Sequence, residues 1–425
     1  MKKLVFGLAC LLLLDSFCGT GVTITGFLAT ARKDYVLDYQ DRKIDYLKDN
    51  STNIPFIDEI ELRYRNEGFS RSRYALRLSP YGIGETKAGK NVYASTYAYH
   101  VTRKAMLLNR ALKKRYMLAL EYLYRHAMIK LDRELEVVYK DRIDVLNQKS
   151  SEINFDFNLL IEAEDDLTRL VLRIIEQKSE ITTFEKEISE YLAPGSGIGF
   201  DTAEIMDIGF IQGLVEKDTF SLDTGNVYLE TSQLELEMSK TRFELENAQT
   251  RRYLDFLEFG YDFGELGDQL EDRDRNREYD LNRAINMRLG FTLPFLNSDR
   301  LDVNRRKLAY LTDQGRYQDL RLELQNDIRN LLAEMKKYIA QYELLKERTH
   351  YITSESSLKT YLQLEGIDPL ILLRTKESTL KSKREIEKIK FEVFIAYIRL
   401  MDITGRLSKK PLVNLISKSQ EPIGQ

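Results

Sequence analysis

A short run of alternating apolar and polar residues, followed by helical sequence several times its length, sharply limits the folds open to this chain. Over Leu281–Phe295, one face carries Leu281, Ile285, Met287, Leu289, Phe291, Leu293 and Phe295. The other carries Asn282, Ala284, Asn286, Arg288, Gly290 and Thr292. A period of two marks a strand with one greasy and one wet face. Three earlier runs share the pattern. Ile60, Leu62 and Tyr64 alternate with Glu59, Glu61, Arg63 and Arg65. After a turn at Glu67-Gly68, Tyr74, Leu76 and Leu78 alternate with Arg71, Arg73, Ala75 and Arg77. Leu257, Phe259, Tyr261 and Phe263 alternate with Glu258, Asp262 and Gly264. Helices of roughly 50 residues beside such strands do not fit an ordinary globular domain, whose helices average about 11–12 residues. A β-barrel continued by a helical tube accommodates both.

The helical sequence comes in two hairpins. Nothing breaks a helix from 91 to 149, and Leu131, Leu135, Val138 and Val145 mark its apolar stripe. After a polar reversal at Ser150–Asn154, the residues Leu160, Ala163, Leu167, Leu170, Ile174, Gln177, Ile181, Phe184, Ile188 and Tyr191 step by three and four. That spacing is a coiled-coil seam, and Pro194-Gly195 ends it. Residues 198–224 read as a connector without strong pattern, and a helix over 227–249 leads into the third strand. A second long helix over 299–364 has a seam of Ile328, Leu331, Met335, Tyr338, Tyr342 and Leu345. The chain reverses at Glu365–Pro369, and a final helix with Ile386, Ile389, Val393, Ala396, Leu400 and Ile403 stops at Gly405. The order strand, strand, long helix, turn, long helix thus occurs twice. Each copy has Pro near the strand-to-helix junction (Pro80, Pro294) and Gly past its last helix (Gly195, Gly405), which reads as an internal duplication.

Lys2 and Lys3 precede an apolar stretch, Leu4–Leu14, in the manner of a secretory signal. Asp15 interrupts a run already too short to span a bilayer. Ala29-Thr30-Ala31 is the best small-x-small cleavage site, and cutting near Cys18–Gly21 is the alternative. Both cysteines, Cys10 and Cys18, lie here, so a chain cut after Ala31 has neither disulfides nor thiol ligands. Lipidation of Cys18 is opposed by Asp15-Ser16-Phe17, a poor lipobox. No later segment is apolar enough for a membrane helix, so membrane insertion requires a barrel. A net charge of −3 argues against nucleic acid as a partner. His100, His126 and His350 are scattered without metal-ligand spacing, and no phosphate loop, nucleophile elbow or zinc motif occurs. No catalytic, cofactor or metal site is therefore expected.

Three stretches resemble the TolC family of outer-membrane efflux and secretion channels. Leu289-Gly290-Phe291-Thr292-Leu293-Pro294-Phe295 resembles the family's strand ending in an apolar-Pro-aromatic step before a long helix. Tyr361–Arg374, with Gly366 and Leu370–Leu373, resembles its Gly-containing turn and Leu-rich restart. Ile395–Gly405 resembles its closing helix. The resemblance implies a homotrimer, each chain giving four strands to one 12-stranded outer-membrane barrel and its long helices to a periplasmic α-helical barrel. It also implies partners: a periplasmic adaptor, an inner-membrane transporter and outer-membrane lipid. The chain then divides into a signal peptide 1–31, an N-terminal periplasmic helix 32–53 and a first β-hairpin 54–82. A first long helical hairpin 91–193 and an equatorial connector 194–249 follow. A second β-hairpin 250–297, a second helical hairpin 298–405 and a C-terminal periplasmic tail 406–425 complete it. Four strands alone cannot close a useful barrel, because even eight-stranded barrels are filled by their own side chains.

The polar strand faces hold Glu59, Glu61, Arg63, Arg65, Arg71, Arg73, Arg77, Glu258, Asp262, Asn282, Asn286 and Arg288. Lipid-facing Arg or Lys at mid-depth costs about 2–4 kcal/mol, so this face must see water, as a pore lining or as the solvated face of a soluble sheet. At the helix reversals, Glu152, Asn154, Asp156, Glu365, Gly366 and Asp368 are candidates for a periplasmic tip that meets the adaptor. The family's acidic pore ring follows the second turn, where this chain instead holds Leu372 and Thr375. Glu162, Asp165, Asp166 and Arg374 are the alternative constriction. The function expected is a passive exit duct for small molecules or polypeptides. The rival is a periplasmic coiled-coil adaptor or scaffold.

Overall fold

The computed structural model describes residues 21–50, 56–66, 72–82, 84–152, 155–217, 220, 222, 225–262, 285–291, 300–353 and 368–424. The leader up to residue 20, with both cysteines, lies outside these residues, as do Arg71, Asn154, Asn282, Pro294, Glu365 and Gly366. In chain order the elements are α1 (Ile24–Ala29), α2 (Tyr35–Asp49), β1 (Ile57–Asn66), β2 (Ser72–Pro80) and α3 (Glu85–Lys149). There follow α4 (Phe157–Ser189), α5 (Ile208–Lys217), α6 (Val227–Gln249), β3 (Leu254–Asp262), β4 (Ile285–Phe291), α7 (Arg300–Thr353) and α8 (Pro369–Ile403). They form two compact units, one of Met1–Asp38, Ala105–Val227 and Glu323–Gln425, the other of Tyr39–Lys104 and Tyr228–Leu322.

The first unit is helical, and its core gathers distant parts of the sequence. Ile24, Phe27, Leu28 and Ala31 pack with Leu112, Tyr116 and Leu120 of α3, Ile188 of α4 and Ile211 of α5. Leu407, Leu412, Ile416 and Ile423 of the C-terminal tail join the same core. Backbone pairing stitches the edges. The Val22 N–H donates to Gly197 O at 2.8 Å, the Gly199 N–H to Val22 O at 3.1 Å, and the Met206 N–H to Ile416 O at 2.8 Å. Arg115, 1% exposed, reaches back to this N-terminal segment. Its Nε donates to Thr30 Oγ1 at 2.8 Å, its Nη1 lies 3.2 Å from Asp34 Oδ2, and its guanidinium stacks on Tyr191.

Two expectations are corrected here. A cut after Ala31 would strip four core side chains and remove Thr30 from Arg115, so residues 22–31 belong to the folded chain. Cleavage near Cys18–Gly21 keeps them. The connector after Gly195 is not patternless, because it contains α5, with Ile208, Ile211 and Val215 buried at helical spacing. Gly209 and Gly213 weakened that signal. α8 also differs from its expected stripe. Phe391, Phe394, Ile395, Tyr397, Ile398 and Met401 are buried together with Val393, Ala396 and Leu400, so this part of the helix is apolar on nearly all sides. Gly195 and Gly405 both take left-handed conformations, with φ of 84° and 72°. At Gly405 a Cβ would come within 3.1 Å of the Val227 nitrogen, so only glycine closes α8 there without strain.

Farther along the long helices, Leu135, Val138 and Tyr139 of α3 pack with Leu170 and Ile174 of α4 and Leu380 of α8. Gln177, the one polar member of the α4 seam, is buried because its Nε2 donates to Asp132 Oδ2 at 3.0 Å. Asp132, fully buried on α3, is flanked by Arg173 of α4 at 3.4 Å and Arg384 of α8 at 3.1 Å. A buried carboxylate with two guanidiniums and an amide sets the register of three helices, and losing one partner leaves an uncompensated charge.

Two outcomes are expected. N-terminal sequencing of the exported protein should begin within residues 18–21; a start at Arg32 would contradict the packing. Ile174→Asp should destabilise by about 3–5 kcal/mol in denaturant unfolding, whereas Glu176→Asp at an exposed position should stay within about 0.5 kcal/mol.

Candidate functional site

The second unit carries a four-stranded antiparallel sheet in the order β1-β2-β3-β4. Helices α2, α3, α6 and α7 contribute its remaining residues, tied by polar contacts. Gln40 Nε2 donates to His100 O at 2.7 Å, and Tyr99 Oη to Glu235 Oε1 at 2.9 Å. The hydroxyls of Ser95 and Thr241 are 3.0 Å apart, and Ser239 donates to Asp313.

Register sorts the strand residues into two faces. Leu62, Leu76, Phe259 and Met287 stand on one rung, with Tyr64, Tyr74, Tyr261 and Ile285 on the rung beside it and Ile60, Leu78, Leu257 and Leu289 on the other side. This apolar face is bare: Ile60, Leu62, Ile285, Met287 and Phe291 are 64%, 76%, 58%, 57% and 69% exposed. The opposite face holds a rung of alternating sign, Glu61, Arg77, Glu258 and Arg288. Here Glu258 is only 5% exposed. Arg63 lies 2.7 Å from Glu61 and 3.6 Å from Glu258, and Arg288 lies 3.8 Å from Glu258. The sheet is inside-out by the standard of a soluble protein, where acids are exposed and large apolar side chains covered.

Two glycines make this polar face possible. Arg73 Nη2 donates to Asn286 Oδ1 at 2.7 Å across the intervening strand β3. It passes over Gly260, where a Cβ would fall 2.5 Å from Asn286 Oδ1. The Phe256 ring lies under the Arg77 guanidinium, 3.5 Å from its centroid, and over Gly290, where a Cβ would meet the ring at 2.2 Å. Glu59 pairs in register with Ser79, Arg65 with Arg73, and Asp262 with Arg73. Sequence periodicity found these residues, but the cross-strand rungs depend on register and could not be read from it.

At the helix reversals two of the expected tip acids prove to be caps. Asp156 accepts from the Asn158 N–H at 3.0 Å, and Asp368 from the Leu370 N–H at 3.1 Å, with Pro369 at the first helical position. Asp368 also holds Lys149 Nζ at 2.8 Å, tying the end of α3 to the start of α8. Lys149 and the Leu370 N–H hold its carboxyl below the ordinary carboxylate range. Glu152 stays exposed.

Of the alternative constriction residues, Glu162, Asp165 and Arg374 are exposed. Asp166 instead faces Arg142 at 3.8 Å, and Arg142 reaches Glu377 at 3.7 Å. Glu377 also accepts from Tyr139 Oη at 3.2 Å and Lys381 Nζ at 2.7 Å. A groove of about 540 Å³ joins Arg142, Arg374, Glu377 and Lys381. Sequence reading passed over Glu377 and Arg142. An acid at 377 within the stripe Leu373–Leu380 was the available signal. His126 packs on Tyr122 with ring centroids 4.4 Å apart, and burial lowers its pKa and that of His100. Among the described residues no His, Cys, Asp and Glu side chains group to hold a metal ion, and no helix is long and apolar enough to cross a membrane.

No protein-family model matches the sequence, and no curated protein matches it significantly. Solved structures do match its fold. The outer membrane protein VceC of Vibrio cholerae superposes with a TM-score of 0.65 at 12% identity, covering 90% of this chain and 96% of that one. CusC, described through transmembrane channel formation, gives 0.63 at 10% identity over 91% and 93% of the two chains. The Campylobacter jejuni CmeC outer membrane channel gives 0.61 at 13% identity over 90% and 85%. The fold is therefore the one these outer-membrane channels share, of the TolC type that the sequence resembles.

Gly260→Val and Gly290→Val should each cost about 1–3 kcal/mol by forcing Asn286 or Phe256 off its seat, measured as a fall in melting temperature. The Lys149–Asp368 tie should be pH-dependent. Because folding lowers the Asp368 pKa, its contribution is present above the unfolded carboxylate value of about 3.9 and is lost as pH falls through the folded value. Hydrogen exchange at the start of α8 should accelerate selectively in acid, and Asp368→Asn should flatten that response.

Proposed function

We propose that the chain is one protomer of a homotrimeric outer-membrane exit duct, a passive conduit for small molecules or polypeptides. An inner-membrane transporter would drive it through a periplasmic adaptor, in a tripartite efflux or type I secretion system. The inside-out sheet carries this reading. A bare apolar face beside a buried, ion-paired acid suits lipid outside and water within. Transfer of each large apolar side chain from water favours such a membrane by about 1.5–3 kcal/mol. Among the described residues, strands β1 and β4 end the sheet with unpaired edges, which cannot face hydrocarbon. Pairing β1 of one copy with β4 of the next removes both edges. Three copies give the 12 strands that the resemblance implies.

The long helices support the same assembly. Leu301, Leu308, Leu311, Leu322 and Leu344 of α7 and Leu172 and Ile175 of α4 are exposed in the single chain. Several recur at heptad-like spacing, suiting a neighbouring helix. The order β1-β2-α3-α4 followed by β3-β4-α7-α8, each half closed by a left-handed glycine, fits descent from a duplicated half. The similar solved structures are outer-membrane channels, which supports this location and an absence of chemistry in the duct. The reversals at α3–α4 and before α8 are the proposed adaptor-binding tips, with Glu152 and Asp156 exposed acids there. A soluble adaptor would leave the apolar sheet face uncovered in water, so that reading is not favoured.

Mass measurement of the purified protein in mild detergent should give a trimer, and the trimer should form ion-conducting channels in planar bilayers. A stable monomer that inserts no channels would refute the duct.

A further inference from the structure

A leucine heptad on α7 is broken once, and by glycine. Leu301, Leu308, Gly315 and Leu322 recur every seven residues and so share one face of the helix, with Leu311 beside them. The leucines of this stripe are all exposed, from 48% at Leu311 to 73% at Leu301. Gly315 is exposed as well, and a Cβ there would meet nothing within 4 Å. Glycine is the poorest helix former after proline. Inside α7 it serves no turn, cap or close approach within its own chain.

The helices of the second unit, with α2 taken from Tyr39 onward, stand in the order α2, α3, α6, α7. Gln40 and Asp41 of α2 hold His100 and Lys104 of α3. Ser95 and Tyr99 of α3 meet Thr241 and Glu235 of α6. Ser239 and Glu246 of α6 hold Asp313 and Arg306 of α7. Each helix adjoins one strand in sequence, α2 with β1, α3 with β2, α6 with β3 and α7 with β4, so the helices repeat the order of the sheet. α2 and α7 are thus the outer helices of this set. α2 bears a bare stripe of its own: Tyr39 and Tyr46, seven residues apart, are 60% and 67% exposed. Lys43 Nζ lies against the Tyr39 ring, 4.4 Å from its centroid.

The same contacts fix heights along the helices. α2 runs antiparallel to α3, with Gln40 at His100 and Tyr46 near Tyr93. Asp313 is level with Ser239, half a turn from Thr241, which meets Ser95. Gly315 therefore lies level with the α2 segment that starts at Tyr39 and ends at Tyr46.

We propose that α2 of one copy packs on α7 of the next, the Tyr39 ring filling the gap at Gly315 and Tyr46 resting on Leu308 and Leu311. The contact lies within the trimer of the duct reading and rests on that reading. A large ring opposite a missing side chain lets two helices close without a void, as a knob enters a hole. Because α2 leads into β1 and α7 follows β4, the contact continues the pairing of β1 with β4 between copies.

Full-length protein in mild detergent, with Cys10 and Cys18 replaced by serine, provides the test. With Tyr39→Cys and Gly315→Cys in one chain, a short bis-maleimide should join copies into covalent dimers and trimers on a denaturing gel. Either cysteine alone should leave monomers; joining through one alone would bring like faces together and overturn the contact. Gly315→Leu should lower the trimer fraction about tenfold with helix content unchanged by circular dichroism, since it overfills the gap. At an exposed position without a partner the same change should stabilise, because leucine is the better helix former. A trimer that survives Gly315→Leu and is not joined by the cysteine pair overturns this contact and leaves the duct standing. A wild-type protein that is monomeric throughout overturns both.

Discussion

The burial of Glu258 beneath arginines, on the reverse of a sheet face whose leucines and isoleucines lie bare, governs the logic of this molecule. In water such a sheet would be costly on both sides, since a buried acid needs partners and a large apolar patch needs cover. The acid has its partners within the chain, in Arg63 and Arg288. The apolar patch has no cover among the described residues. Bilayer hydrocarbon on one side and water on the other, as proposed above, would resolve the contradiction with no change in sequence. On the proposed reading the edges β1 and β4 require a neighbouring copy, because a membrane tolerates only closed sheets.

The helical parts obey the same economy of charge. Asp132 sits in the middle of an apolar seam, yet Arg173, Arg384 and Gln177 surround it. Arg142 likewise bridges Asp166 and Glu377. Such buried pairs add little net stability against a hydrophobic replacement, but a helix shifted by one turn would strand them. In long helices with repetitive Leu and Ile stripes, where many registers pack almost equally well, that penalty selects one. Near the reversals the Lys149–Asp368 tie performs the corresponding task for the start of α8.

Much of this was legible in the sequence. Period-two alternation located all four strands, and three-four spacing located the α4 seam, because both signals are local. What was missed was partly non-local and partly a weak local signal. The motif Ala29-Thr30-Ala31 looks like a cleavage site, but Ala31 is small because it is buried against the helical core. The ten-residue α5, with its two glycines, hid in a stretch without apparent pattern. α8 showed a narrow stripe, whereas the surrounding core buries nearly every side from Phe391 to Met401. Asp156 and Asp368 were read as tip acids, and their capping of the helices that follow was not read. The rung Glu61–Arg77–Glu258–Arg288 required a register that no single strand encodes.

The central claim is that the apolar face of the sheet meets lipid while the charged face meets water. Single cysteines at positions 285–289 and 291, introduced with Cys10 and Cys18 replaced by serine, test it directly in reconstituted membranes. A membrane-impermeant thiol reagent should label positions 286 and 288 and spare 285, 287, 289 and 291, with Gly290 left unchanged because the Phe256 ring covers it. Nitroxide-labelled lipid should show the reverse pattern of proximity. Uniform labelling along β4, or labelling of the Ile285–Met287–Leu289 face alone, would contradict the account.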